Sequence, residues 1–156
     1  MRHDIVRIAA VVSGLICAAG GLALGDLPIG RWVGEPYTLA VPTHITGAGQ
    51  AHSGSLVLTL EHNRHCTITV SVANAGDEVL TFAGDTLATS YKLTGAGLVN
   101  GDADWVASST FLTRNYDLRT VGPSDQITIW VQAAASSSRA NNAGTYSASV
   151  ILTASW

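Results

Sequence analysis

Charge is scarce in this sequence. Only 12% of its 156 residues are charged, and the formal net charge at pH 7 is -3. Lys and Arg form no cluster of the kind that binds a phosphate backbone, which argues against nucleic acid as a partner. The chain is nevertheless 47% hydrophobic and contains sixteen Gly. Low charge combined with many small and β-branched residues is typical of an all-β extracellular domain.

Long apolar runs are also rare, and the one that exists lies at the N-terminus. Arg2 and Arg7 lead into an apolar stretch over 8–24, and small residues precede Asp26. This order predicts a secretory signal peptide over 1–25, so the expected mature form is secreted and has no membrane segment. An uncleaved anchor is the alternative, because the seventeen residues of that stretch reach the short end of a membrane-spanning helix.

Cysteine is nearly absent. Removal of the signal peptide leaves Cys66 alone, so we expect no internal disulfide, and stability must come from sheet packing or from neighbouring subunits. Cys66 alternates with Ile68, Val70 and Val72, which predicts a small buried hydrophobic residue and not an exposed thiol.

Helix signals are missing after residue 25. Short runs with strand-like alternation recur instead, separated by Gly, Pro, Asn and Asp. The length suits one domain. The sequence therefore predicts an all-β fold with a single antiparallel immunoglobulin-like β-sandwich of about eight strands over 53–156. The predicted strand runs are 55–61, 66–73, 78–83, 87–93, 105–112, 116–121, 126–133 and the C-terminal run 143–156.

An extended segment over 26–52 precedes the predicted sandwich. Within it, "PYTLAVP" (36–42) alternates Tyr37, Leu39 and Val41 between two prolines. Proline at both ends restricts such a piece to a sheet edge or to a strand added from outside. The C-terminal run alternates in the same way, with apolar Tyr146, Val150, Leu152 and Trp156 on one face.

The sequence "EHNRHC" (61–66) is the one candidate for metal binding or catalysis. On an extended strand His62 and Cys66 share a face while His65 points away, and no second His/Cys pair completes a zinc site. A free thiol beside a His also needs a base and an oxyanion pocket, and neither is visible. We interpret this stretch as a polar turn and expect no catalytic residue, no metal and no cofactor.

Asp102 and Asp104 in "VNGDADW" offer oxygen ligands in a Gly-containing loop. They lack the regular spacing of a known calcium-binding loop. The favoured interpretation is that they are turn residues that hydrogen-bond the backbone, with calcium binding as the alternative.

Two stretches carry a family resemblance. "AGTYSASVILTASW" resembles the terminal strand of pilins assembled by donor-strand exchange and of spore coat protein U-like subunits. "CTITVSVANAGDEVLTF" is similar to the early strands of camelysin-type biofilm-fibre subunits and bundling pilins. The single mature cysteine and the final position of the aromatic differ from chaperone-assembled pilins. The resemblance therefore fits fibre subunits that insert an N-terminal strand into a neighbour better.

That resemblance implies a secreted, non-enzymatic subunit of a cell-surface or biofilm-matrix filament. Its partner is a second copy of itself, and main-chain hydrogen bonds of an added strand join the copies head to tail. The expected interface residues are Tyr37, Leu39, Val41, Tyr146, Val150, Leu152 and Trp156.

Two other function classes stay open. A secreted carbohydrate-binding or adhesive module, with surface glycans as partners, needs aromatic rings on which sugars stack. A secreted enzyme using Glu61, His62 or Asp102 is the third possibility. The candidate aromatics are Trp32, Trp105, Trp130, Tyr91 and Tyr116, and for Trp130 we expect a core position in preference to an exposed one.

Overall fold

The computed structural model describes residues 6–10, 30–34, 37–41, 49–120, 122–137 and 140–155. Within these ranges strands dominate and helix is limited to a single turn, which confirms the all-β prediction. The elements are β1 (Val6–Ala10), β2 (Gly30–Val33), β3 (Tyr37–Val41), β4 (Ala51–His62), β5 (Cys66–Ser71), β6 (Thr81–Phe82), β7 (Asp85–Thr86), β8 (Ala88–Thr94), β9 (Val106–Ala107), α1 (Ser108–Phe111), β10 (Asn115–Leu118), β11 (Asp125–Ala134) and β12 (Ser147–Ser155).

The strands form two largely antiparallel sheets. The first, called the β11 sheet, has the order β2-β4-β11-β8-β9. The second, called the β12 sheet, has the order β10-β5-β12-β1-β3, with the β6–β7 hairpin attached to β12. The longest pairing joins β4 to β11, from Asp125 opposite Leu60 to Ala134 opposite Ala51.

The core lies where both sheets present alternate apolar residues to each other. In β11 Ile127, Ile129 and Val131 are buried while the residues between them are partly exposed. Val150 and Leu152 of β12 alternate in the same way. Cys66 is buried as a free thiol, as the sequence predicts. Period-two burial of this kind is what an antiparallel sheet with one solvated face produces.

The sequence predicts one strand over 105–112, and that prediction is wrong. Only Val106–Ala107 is extended, and the chain then turns through α1. The turn places Phe111 in the core, stacked on Tyr91 at 4.9 Å between ring centroids and 6.1 Å from the ring of Tyr116. Burying a large aromatic ring between two others outweighs the weak strand preference of this stretch.

The run 78–83 is extended only at β6. Ala83 and Gly84 connect β6 to β7, and both have positive φ. A two-residue hairpin connection of the primed type requires this backbone conformation.

The position of β1 is the most informative feature of the topology. Val6–Ala10 runs parallel to β12 and antiparallel to β3, between the two. Ile8 is opposite Ala148 on one side and Leu39 on the other. The strand that fills this place therefore comes from the predicted signal peptide. In the described part of the chain, no helix has the length and apolar character needed to span a membrane.

Candidate functional site

The flank of β12 that pairs with β1 is the candidate site. On one side of β12, β5 pairs with Ile151–Ser155 and β6 pairs at Ser147. On the other side, β1 pairs with residues 147–150. Among the described strands β3 pairs only with β1. Residues 6–10 thus supply the only described strand pairing that links β3 to the rest of this sheet.

The residues predicted for a subunit interface fall on both sides of β1. Leu39 is 4% exposed and belongs to the core of its own chain. Tyr37 is partly buried against that core, and its hydroxyl donates a hydrogen bond to the Val33 carbonyl. Tyr146, Val150 and Leu152 are buried. The side chain of Val41 and all of Trp156 lie outside the described residues. Their role at an interface stays a prediction.

The opposite edge of the same sheet is covered. Nδ2 of Asn100 donates to the Asn115 carbonyl at 2.8 Å, and Oδ1 of Asn100 accepts from the Asp117 amide at 2.8 Å. The Val99 amide adds a bond to the Asp117 carbonyl at 2.9 Å. The segment 97–100 therefore occupies backbone groups of β10 that a further strand would need.

A buried carboxylate fixes the chain where it enters β12. Asp85 is 2% exposed, and its Oδ2 accepts from the Tyr146 hydroxyl at 2.6 Å and from the Asn142 amide at 2.7 Å. Nδ2 of Asn141 donates to the same oxygen at 2.9 Å. Three donors thus hold the loop before β12 against the β6–β7 hairpin. Nothing in the local sequence identifies Asp85, because its partners lie more than fifty residues away in the chain.

The "EHNRHC" stretch forms a turn between β4 and β5. His62 is buried, with Nδ1 2.9 Å from the Arg64 carbonyl and Nε2 2.6 Å from Oδ2 of Asp125. His65 is exposed, as the alternation predicts. Burial, and secondarily the charge of Asp125, raises the pKa of the Cys66 thiol to about 11. A thiol that stays protonated is a weak nucleophile.

Glu61 lies on the outer face and forms an ion pair with Arg31, at 2.6 Å between Nε and Oε2. The hydrogen bond from Arg31 lowers the pKa of Glu61. In the described ranges, no three His, Cys, Asp or Glu side chains are grouped so that they would hold a metal ion.

Asp102 acts as a buried acceptor within the fold. Its Oδ2 accepts from the Leu93 amide at 3.0 Å and from the Tyr116 hydroxyl at 2.5 Å. Burial, followed by the bond to Asp102, raises the pKa of Tyr116. Asp104 is exposed and is not part of this cluster. The arrangement supports the interpretation of Asp102 as a residue that hydrogen-bonds the backbone.

The candidate sugar-stacking aromatics divide into two groups. Trp32, Tyr91 and Tyr116 are buried in the core and present no ring to solvent. Trp105 and Trp130 are only partly buried. The expected core position of Trp130 is wrong, because its neighbours Ile129 and Val131 take the inward positions of β11.

No family model matches the chain, and no curated protein matches it significantly.

Proposed function

We propose that the protein is a secreted structural subunit of a cell-surface or biofilm-matrix filament, built as one immunoglobulin-like sandwich and polymerised by β-strand addition. The main support for this proposal is that the strand between β3 and β12 is Val6–Ala10, which is part of the predicted signal peptide. Export with cleavage before Asp26 removes that strand, which leaves β3 and the facing flank of β12 at residues 147–150 without their strand partner.

Unpaired backbone groups of β3 and β12 favour the binding of a replacement strand once β1 has been removed. Residues 147–150 of β12 and all of β3 pair with β1 in the full chain. Backbone N–H and C=O groups buried without partners each cost free energy comparable to a lost hydrogen bond. An incoming strand with apolar residues at alternate positions restores these bonds and covers the core.

The segment Tyr37–Val41 has the pattern that this place requires. Register aligns Tyr37 with Ala10, Leu39 with Ile8 and Val41 with Val6, so the apolar positions of the two segments coincide. Insertion of Tyr37–Val41 from one copy beside β12 of the next joins the copies head to tail. A contact of that kind does not close on itself, and it propagates as a filament.

The covered β10 edge supports the same assembly. Because segment 97–100 occupies β10, strand addition to the β12 sheet is directed to the flank of β12. Directing addition to a single flank favours a filament of defined polarity over unregulated edge-to-edge aggregation.

Substitution at Leu39 tests the proposal in the processed protein. Burial of a Leu side chain contributes about 1.5–3 kcal/mol, and a carboxylate in its place adds a desolvation cost. In the processed chain β3 has lost β1, its strand partner in the full chain, so Leu39→Asp should yield folded monomers that form no filaments in electron microscopy and in size-exclusion chromatography with light scattering. Thr38→Asp, at the exposed neighbouring position, is the matched control and should assemble normally.

Two outcomes contradict the proposal. If the processed wild-type chain stays monomeric under every assembly condition, the protein is not a filament subunit. If the Leu39→Asp monomer is unfolded, β3 is part of its own sandwich in the processed chain and is not the inserted strand. Deletion of 26–41 is a poorer test, because it also removes β2 and the buried Trp32.

A peptide of residues 36–42 provides an independent test. Added in excess to the assembling wild-type chain, it should occupy the flank of β12 and stop elongation. The same peptide with Leu39→Asp should have no effect. Equal inhibition by the two peptides would mean that the alternating side chains are not recognised.

A further inference from the structure

Lys92 is the only lysine in the sequence, and it lies between two of the four tryptophans. Its Nζ is 5.3 Å from the ring centroid of Trp105 and 5.2 Å from that of Trp130. Both distances are within the range of a cation–π contact. The two indole rings and the ammonium group together form a single cluster, called here the Trp105–Lys92–Trp130 row.

Strand register builds this row across the outer face of the β11 sheet. Trp130 is directly opposite Lys92 in the β11–β8 pair. In the antiparallel β8–β9 pair Tyr91 is opposite Val106. The residue before Val106, Trp105, therefore lies beside Lys92. Nε1 of Trp130 donates to Oγ1 of Thr94 at 3.1 Å, which fixes the orientation of that ring.

The cross-strand neighbours of Lys92 and Trp130 on the outer face are polar but uncharged. Gln132 and Ser90 form the adjacent cross-strand pair on one side, and Thr128 and Thr94 form the adjacent pair on the other. Ser55 is opposite Trp130 on β4. These side chains are hydrogen-bond donors and acceptors of the type that sugar hydroxyls use.

Lys92 has no anionic partner among the described residues. The ion pairs of the described side chains involve Arg and His residues and not Lys92. Strands β4, β8 and β11 place one acidic residue on the outer face. This residue is Glu61, which already pairs with Arg31. An ammonium group without an acidic side chain at ion-pair distance complements an anion. A single cation is too little for a nucleic acid, whose binding depends on many phosphate contacts.

We propose that the Trp105–Lys92–Trp130 row binds an acidic polysaccharide, a polymer that contains uronic acid units. The indole surfaces stack on the C–H faces of the sugar rings, as aromatic side chains with a polar handle do at wet interfaces. Lys92 pairs with the carboxylate, and the Gln, Ser and Thr side chains bond to hydroxyl groups. The row lies on the β11 sheet, so this binding does not require strand addition at β12 in the other sheet.

Binding of the full chain to polygalacturonate and to dextran, measured by affinity electrophoresis and calorimetry, tests the inference. We expect polygalacturonate to bind about tenfold more tightly than dextran, the effect of one charge-assisted hydrogen bond. Lys92→Met should remove that preference, and Lys92→Arg should retain it. Arg119→Met makes the same charge change outside the β11 sheet, in the loop after β10, and should leave binding unaltered.

Trp130→Ala and Trp105→Ala should weaken binding of both polymers, with folding checked by circular dichroism. Because Lys92 is the only lysine, acylation followed by mass spectrometry provides a measurement on the unmutated protein. Bound polygalacturonate should slow acylation at Lys92 while the N-terminal amine reacts at its usual rate.

Three results would overturn the inference. The first is equal affinity for the acidic and the neutral polymer, and the second is unchanged polygalacturonate binding by Lys92→Met. The third is an equal loss of affinity in Lys92→Met and Arg119→Met, which would mean that net charge alone matters. Failure of filament assembly leaves this binding untouched, so the two proposals can be lost separately.

Discussion

The ring of Phe82 packs directly over Gly144. A Cβ atom on Gly144 would lie 2.0 Å from Cε1 of that ring, much closer than real contacts allow. The same ring is 5.7 Å from the ring of Tyr146, between centroids. Glycine at this position thus lets the β6–β7 hairpin close over the chain as it enters β12.

Gly144→Ala should therefore destabilise the protein. Overpacking of this kind costs about 1–3 kcal/mol in the free energy of unfolding, measurable by urea denaturation. Gly122→Ala is the matched control, since a Cβ there would meet no atom within 4 Å, and its effect should be small.

A double-mutant cycle identifies the cause. In a Phe82→Ala background the same Gly144→Ala change should cost little, because the clashing ring is gone. An undiminished loss in that background would show that the backbone at Gly144, and not the ring of Phe82, imposes the requirement.

Asp85→Ala should destabilise the loop before β12. The change leaves the Tyr146 hydroxyl and the Asn142 amide without their shared acceptor. Hydrogen bonds to a charged group contribute about 1.5–3 kcal/mol each, so we expect a total loss of at least 2 kcal/mol by thermal or urea unfolding. Asp104→Ala, at an exposed position, should change stability little. Equal effects of the two substitutions would contradict a structural role for Asp85.

The strands that the sequence predicts best are those with one buried face. The runs 55–61 and 66–73 appear as β4 and β5, because their apolar residues alternate with polar ones and burial follows that alternation. The strand prediction for 105–112 is wrong because the structure of this run depends on distant contacts and not on local alternation. The position of Phe111 depends on Tyr91 and Tyr116, which local pattern does not reveal.

The candidate sites depend on contacts between distant parts of the chain. The apolar run at the N-terminus predicts a signal peptide, and nothing in it indicates pairing of Val6–Ala10 with β12. The Trp105–Lys92–Trp130 row likewise requires the cross-strand register of β8 and β11. Strand existence is a local property of sequence, whereas register is set by the whole sheet.

The buried thiol of Cys66 should make the folded protein less stable at alkaline pH. Burial raises the pKa of its thiol from 9.0 to about 11. Between these values the unfolded chain releases the proton while the folded chain keeps it, so the free energy of unfolding falls as pH rises. Buried Tyr91 and Tyr116, whose pKa values burial also raises, add the same trend at higher pH.

Urea denaturation of the wild type and of Cys66→Ala isolates the thiol. The variant loses packing at every pH, so the wild type should be more stable near neutrality, and that advantage should shrink from pH 9 to pH 11. A constant difference across the range would mean that the thiol titrates alike in both states.

Asn100 should protect the β10 edge through its side-chain amide. Asn100→Ala removes the acceptor of the Asp117 amide and the donor to the Asn115 carbonyl. We expect hydrogen exchange at the Asp117 amide to accelerate by at least about tenfold, the effect of losing one hydrogen bond of about 1.4 kcal/mol. The Arg119 amide, which bonds to the Gly97 carbonyl at 3.1 Å, should keep its exchange rate if the rest of the cover stays in place. Asn100→Asp should be more disruptive, because a carboxylate oxygen then faces the Asn115 carbonyl without a proton between them. Unchanged exchange at Asp117 in both variants would show that the backbone of segment 97–100 alone covers this edge.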